Sequence, residues 1–130
     1  MPPAMVNKMY SSILHASLIV GDLQLSLKFY VEILGFKLDT TRPDLGYEGA
    51  WLSVAKGQQI HLLALPNPDP VLGRPAHGGR DRHVAIGVLD FNQLIEKLEE
   101  NSIVYTKSKS GRSALFCRDP DGNALEFVAA

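Results

Sequence analysis

Three histidines and one glutamate, His15, His61, His83 and Glu126, combine ligand-type side chains with a repeated spacing. The run Ser12-Ile13-Leu14-His15-Ala16-Ser17-Leu18-Ile19-Val20-Gly21-Asp22 returns as Asp81-Arg82-His83-Val84-Ala85-Ile86-Gly87-Val88-Leu89-Asp90. The distances 83 minus 15 and 90 minus 22 are both 68, so no gap separates histidine from aspartate in either copy. A second pair of blocks, Gly57-Gln58-Gln59-Ile60-His61-Leu62 and Gly122-Asn123-Ala124-Leu125-Glu126-Phe127, keeps an offset of 65, and so do Trp51 and Phe116. Three imidazoles and a carboxylate form a donor set suited to a divalent transition metal. Left unpaired in an apolar sheet, the same groups are expensive to bury. Any one of them alone reads as a satisfied core polar residue, but four at repeat-equivalent strand positions read as a metal site.

The elements that must position them follow from periodicity. Residues 12–20 alternate and are rich in Ile, Leu and Val, a strand with Ile13, His15, Ser17 and Ile19 on one face. Asp22 caps a helix with an inward stripe of Leu23, Leu27, Tyr30, Val31 and Leu34, ended by Gly35. Further strands are expected over 36–42, 49–55 and 58–65, the last two around a Lys56-Gly57 turn. A connection rich in Pro and Gly, 66–79, then divides the chain. The second half repeats the order: a strand over 82–88, an Asp90-capped helix with Phe91, Leu94, Ile95 and Leu98 inward, and strands near 103–107, 112–118 and 124–129. Asp119-Pro120-Asp121-Gly122 supplies the final turn. The fold class is therefore α+β, with module one over about 12–65 and module two over about 82–129 in a single domain spanning 1–130. If the halves pair by a pseudo-twofold, their sheets make a curved, eight-stranded open cup with helices packed outside and all four donors facing in.

Composition narrows the function. The chain has 130 residues, 45% hydrophobic and 21% charged, with net charge −1, an ordinary globular balance. No basic excess suggests nucleic acid, and no apolar run or basic amphipathic helix suggests a membrane. Met1-Pro2-Pro3-Ala4-Met5 lacks the pattern of a secretory signal. The lone Cys117 cannot make an intrachain disulfide and reads as a small apolar core residue, which fits a cytoplasmic protein. His77 falls in the irregular connection and reads as a loop residue. Arg80, Arg82 and Arg112 read as solvated or turn-supporting. Arg42 and Arg118, at strand ends, can reach the cup rim and hold an anionic substrate, with Trp51 and Phe116 as cup walls or core.

These marks carry a resemblance. The His15 strand, Asp22-Leu23 with Ser26-Leu27-Lys28-Phe29-Tyr30 and Leu34-Gly35-Phe36, the His83 strand with Asp90, and Arg118-Asp119-Pro120-Asp121-Gly122-Asn123 leading to Glu126 resemble the vicinal oxygen chelate superfamily over residues 12–129. That group includes glyoxalases, fosfomycin-resistance proteins, extradiol dioxygenases and bleomycin-resistance proteins, and the chain looks most like short glyoxalase I-like proteins. The resemblance implies paired βαβββ modules, usually in a homodimer. It also implies one divalent ion (Ni, Zn, Mn, Co or Fe(II)) held by His15, His61, His83 and Glu126, with Glu126 as catalytic proton shuttle. The expected activity is a glyoxalase I-like lyase or isomerase acting on a small substrate with two vicinal oxygens, such as a glutathione adduct, through metal-stabilised enediolate chemistry. In glyoxalase I the position matching His61 is normally Glu, so Glu126 is here the only ligand able to act as base. The subset His15, His83 and Glu126 also matches fosfomycin-type thiol transferases and extradiol dioxygenases. A metal-free bleomycin-resistance-like binding protein is the alternative outside enzymology.

Overall fold

Alternation of apolar and polar residues does produce two copies of one sheet. In the computed structural model, which describes residues 8–130, the first contains β1 (His15–Val20), β2 (Lys37–Asp39), β3 (Gly49–Ala55) and β4 (Gln58–Ala64) in the order β1-β4-β3-β2. The second contains β5 (His83–Val88), β6 (Tyr105–Lys107), β7 (Ala114–Arg118) and β8 (Ala124–Ala129) in the order β5-β8-β7-β6. In each sheet the first strand runs parallel to the last and the others are antiparallel. The reading of Met1–Met5 lies outside the described residues.

The repeat holds at the level of register. Ser17 pairs with His61 and Ala85 with Glu126; Trp51 pairs with His61 and Phe116 with Glu126. Period-two alternation then assigns the faces. Ile60, Leu62, Leu125 and Phe127 turn into a single buried cluster drawn from both halves, together with Tyr30, Leu52, Leu98 and Leu115. His15, Ser17, Ala85 and Gly87 stay exposed on the opposite face.

Two elements depart from the pattern. The first helix is α only over Leu23–Leu27 (α1) and continues as a π-helical turn over Lys28–Ile33. Leu34 N–H donates to Phe29 O at 3.0 Å, five residues back, and this widening lets the neighbours Phe29 and Tyr30 both bury beside Ser26. The sequence-based stripe of Leu23, Leu27, Val31 and Leu34 packs only partly buried around them. The second strand stops at Asp39 rather than 42, because the Asp39 carboxylate accepts from Thr41 N (2.9 Å) and Oγ1 (2.7 Å) and bends the chain. The strands expected from 12, 103 and 112 likewise begin at His15, Tyr105 and Ala114. The second helix, α2 (Phe91–Glu100), follows expectation: Asp90 accepts from Gln93 N at 3.0 Å, and Leu94 and Leu98 are buried.

The turn before β8 joins the halves. Asp121 Oδ1 accepts from Gly21 N at 2.8 Å, Asn123 Nδ2 donates to Ile19 O at 3.0 Å, and Tyr30 OH donates to Asp119 Oδ2 at 2.7 Å. Burial, assisted by the neighbouring carboxylate, pushes the Tyr30 hydroxyl well above its ordinary pKa, so it remains the donor.

Candidate metal centre

The second module places His83 and Glu126 side by side. Glu126 is buried, its side chain 7% exposed, and its Oε1 lies 3.2 Å from His83 Nε2. The other ring nitrogen, Nδ1, faces Asp81 O at 2.8 Å. A carbonyl oxygen only accepts, so Nδ1 carries a hydrogen and a neutral His83 aims its Nε2 lone pair at the carboxylate. Two electron pairs facing each other at that distance require a proton or a cation between them. The separation also suits two neighbouring donors each about 2.1 Å from one ion. The carbonyl behind Nδ1 is the outer partner that orients a ligating imidazole. The donors of this module therefore fit a divalent metal. Glu126 Oε2 meanwhile accepts from Arg112 Nη2 at 2.9 Å, so Arg112 is an ion-pair partner of the site rather than the solvated or turn-supporting residue expected from its sequence position.

The first module is arranged differently. His61 lies between two rings, with His15 at 3.8 Å between centroids and Trp51 at 4.6 Å, inclined by 13° and 10°. Its Nε2 meets Gln59 Oε1 at 2.8 Å, and Gln59 Nε2 donates to Asp39 Oδ2 at 2.8 Å. Burial holds the His61 pKa below the ordinary imidazole value, and positive charge at His15 and Arg42 adds to the effect. Gln59 was readable as a neighbour of His61, two residues away on the same strand face. Asp39 was not, because its approach depends on the β2–β3 register.

One member of each pair, His15 and His83, lines a groove of about 450 Å³ between β1 and β5, beside Ile13, Leu14, Ala85 and Gly87. Among the described residues, no three His, Cys, Asp or Glu side chains stand together closely enough to hold one ion. One chain thus presents two pairs, His15 with His61 and His83 with Glu126.

The remaining expected site residues are placed as follows. Trp51 and Phe116 both lie on the donor-bearing face; Phe116 is 7% exposed, with the His83 ring 5.3 Å and the His77 ring 4.9 Å from it. Arg42 donates to Tyr47 O at 2.9 Å and stands 5.2 Å from the Tyr47 ring. Arg118 donates to Asp81 Oδ2 (2.8 Å), Gly122 O (2.7 Å) and Pro75 O, so its guanidinium ties down the inter-module connection. His77 caps the short turn Gly78–Arg80, accepting from Gly79 N at 2.9 Å. Gly78 and Gly79 lie flat on Phe116: a Cβ would come within 3.2 Å of Phe116 Cβ at the first and 3.0 Å of Phe116 Cζ at the second. Cys117 is buried and its thiol is pushed up to about 12, which leaves it an inert core residue.

Two sheets of one plan, with His and Glu side chains on the faces turned away from the buried cluster, define the class of fold, and comparison with known proteins gives that class its family. Residues 12–127 match the Glyoxalase/Bleomycin resistance protein/Dioxygenase superfamily, and the chain belongs to it. The chain is 34% identical to lactoylglutathione lyase from Haemophilus influenzae over 123 residues, covering 89% of this chain and 90% of that protein. Glyoxylase I 4 from Arabidopsis thaliana is 33% identical over 123 residues, 90% of this chain and 70% of the plant protein. Among solved structures, the trypanothione-dependent glyoxalase I of Leishmania major superposes with a TM-score of 0.68 at 27% identity, covering 92% and 87% of the two chains. A glyoxalase family protein from Bacillus anthracis reaches a TM-score of 0.75 at 22% identity, covering 96% and 98%. No helix among the described residues is long and apolar enough to cross a membrane.

Proposed function

We propose that this protein is a metal-dependent lyase or isomerase of the glyoxalase I type, acting on a small substrate with two vicinal oxygens, a glutathione hemithioacetal being the leading candidate. The observation that carries the reading is the approach of His83 Nε2 to the buried Glu126 Oε1, 3.2 Å apart, with the opposite ring nitrogen committed to Asp81 O. A divalent ion supported by His83, Glu126, His15 and His61 would supply Lewis acidity toward the substrate oxygens. Glu126 then acts as the base, taking a proton from the hydroxyl-bearing carbon and returning it to the neighbouring carbonyl carbon, while the hydroxyl proton passes to the former carbonyl oxygen, an isomerisation needing no oxidant or further reactant. Its burial withholds water from the carboxylate, and Arg112 holds its second oxygen in place.

The division of donors into two pairs supports a site shared by two copies of the chain, the His15 pair of one facing the His83–Glu126 pair of the other. Among the described residues the β1 and β5 edges carry no further strand, and Ile13 and Leu14 beside β1 are 78% and 61% exposed. Complementation of two defective variants tests this. His15→Ala and Glu126→Gln each abolish turnover of the methylglyoxal–glutathione hemithioacetal with nickel or zinc. Mixed one to one after reversible dissociation, they recover about a quarter of wild-type activity, because half the dimers are mixed and each has one intact site. No recovery despite exchanged subunits would place the ion within one chain. Metal binding without turnover in the wild type would remove the reaction and leave the centre.

A second reading rests on the stack of His61 between His15 and Trp51, whose near-parallel planes hold His61 away from an ion shared with His15 and leave His15, His83 and Glu126 as a two-histidine, one-carboxylate set suited to Fe(II) and oxygen. Oxygen uptake on catechols with Fe(II) separates it from the first.

A further inference from the structure

The polar chain behind His61 has only one consistent assignment of hydrogens. Asp39 Oδ1 is held by Thr41 N and Oγ1, and Oδ2 receives Gln59 Nε2 at 2.8 Å. A carboxylate accepts and does not donate, so the NH₂ end of Gln59 must face Asp39; reversing the amide would set two acceptors against each other. The second hydrogen of that NH₂ reaches toward Ser53 Oγ at 3.4 Å, which again leaves the carbonyl end facing His61. Oε1, 2.8 Å from His61 Nε2, then needs a donor, and the imidazole provides it. The register makes this a property of one sheet face: Asp39 pairs with Trp51, Trp51 with His61, and Ser53 with Gln59. The stack of His15 and Trp51 on either side restrains the ring from turning over.

We propose that Gln59, oriented by Asp39, is a positioning residue that fixes His61 in the Nε2–H tautomer, so that Nδ1 is the only lone pair this ring offers to a cation or a substrate proton. The tautomer stands on the hydrogen-bond chain alone; its consequence for an ion rests on the metal reading above. The two halves consequently present imidazoles of opposite sense: His83 is backed at Nδ1 by a carbonyl and offers Nε2, whereas His61 is backed at Nε2 by an amide and offers Nδ1. A ligated cation lies in the plane of its imidazole. The near-parallel planes of His15 and His61 do not meet at a common ion, so joint ligation requires the stack to open while the Gln59 contact keeps Nε2 protonated.

Long-range ¹H–¹⁵N correlation spectra of the metal-free, histidine-labelled protein test the assignment. The expected result is a single Nε2–H tautomer for His61 with a slowly exchanging ring proton; an unprotonated Nε2 would overturn the proposal. Gln59→Leu should abolish the protected proton while leaving the His83 pattern unchanged, and an unaltered His61 spectrum in that variant would refute the role of Gln59. The double variant Asp39→Asn with Gln59→Glu reverses the polar ends: the amide now at position 39 can donate to the carboxylate now at position 59, and that carboxylate can accept from His61. It should restore the signal, which a merely structural role for Gln59 does not predict; failure of restoration in a folded double variant counts against the relay. Zinc titration of the wild type should shift Nδ1 of His61 with Nε2–H retained, whereas displacement of that proton by zinc would overturn the assignment. If zinc perturbs none of the histidines while the metal-free spectra are as expected, the metal reading fails and the relay stands.

Discussion

The two modules share a backbone plan and a register but not a chemistry. In module one the donor-bearing face is a stack of rings, His15, His61 and Trp51, backed by a hydrogen-bond chain through Gln59 to Asp39 and open to solvent at His15. In module two the corresponding face is ionic, with Glu126 between His83 and Arg112, and it is roofed by the inter-module connection. The difference teaches what duplication leaves free. Backbone pairing depends on alternation and turn residues and is kept, whereas each face can be rewritten at the few positions that point away from the core. Position 61 holds His where its repeat equivalent, 126, holds Glu, and position 59 holds Gln where 124 holds Ala.

The sharpest break in the symmetry is the turn before the last strand. In module one that turn, around Lys56 and Gly57, is exposed. In module two Asp119 accepts from Tyr30 OH, from Asn123 Nδ2, and from the backbone N–H of Asp121 and Asn123. Burial raises the Asp119 pKa even though those bonds pull it down, the balance expected of a buried acceptor serving many donors. Asp119→Ala leaves these donors without an acceptor and should cost about 3 kcal/mol, lowering the melting temperature by roughly 10 °C. Val54→Ala at the equivalent place in module one should cost only about 1 kcal/mol. Equal losses in thermal denaturation would show that the turn does not join the halves.

How much of this could be read in the sequence follows the same division. Strands, helix caps at Asp22 and Asp90, and the equivalence of His15 with His83 depend on local pattern and offset, and all were legible. The π-helical turn was not, since Phe29 and Tyr30 bury together through contacts with both sheets that no local periodicity encodes. Nor were the partners of the donors. Arg112 reaches Glu126 across 14 positions and Gln59 reaches Asp39 across 20, and both distances close only once strand register is set. Convergence on a single ion was expected from symmetry, but symmetry fixes equivalent positions within each sheet and leaves open which pairs meet in three dimensions.

A smaller effect should separate the roofed face from the open one by pH. Asp81, its side chain 7% exposed, is gripped by Arg74 and Arg118, and those hydrogen bonds hold its pKa well below the usual carboxylate range. A depressed carboxylate contributes stability that is fully present above its unfolded pKa, about 4, and is lost as pH falls from there through the folded value. Hydrogen exchange in residues 66–82 should therefore rise at ~pH 3 relative to ~pH 6, after correction for intrinsic rates, while the β3–β4 hairpin of module one keeps its protection. At neutral pH, Asp81→Asn should imitate the acid state and increase tryptic cleavage after Arg80 and Arg82 by roughly tenfold. Unchanged cleavage would mean that Gly78 and Gly79 packing on Phe116, not the ion pairs, holds the roof.

The smallest expected effect concerns Arg112, and it bears most directly on why one face is ionic. Its side chain is 58% exposed, so its bond to Glu126 should contribute less than about 1 kcal/mol to stability, and Arg112→Met should barely move the melting temperature. Its influence on an ion beside Glu126 should be larger. A guanidinium on Oε2 drains the carboxylate of donor strength and adds a positive charge near the place where a dication would sit. At a separation of about 5 Å this repulsion, even heavily screened, corresponds to roughly a tenfold weakening of metal binding. Arg112→Met should therefore bind zinc or nickel about tenfold more tightly by calorimetry, with the gain shrinking at high salt. The repeat equivalent of Glu126 is His61, whose charged neighbour Arg42 is engaged by Tyr47 O, so Arg42→Met should shift affinity less. If both substitutions act equally, charge is distributed evenly over the two faces and the contrast between them is one of shape alone. If only Arg112→Met tightens binding, module two carries the electrostatic control of the centre and module one supplies its geometry.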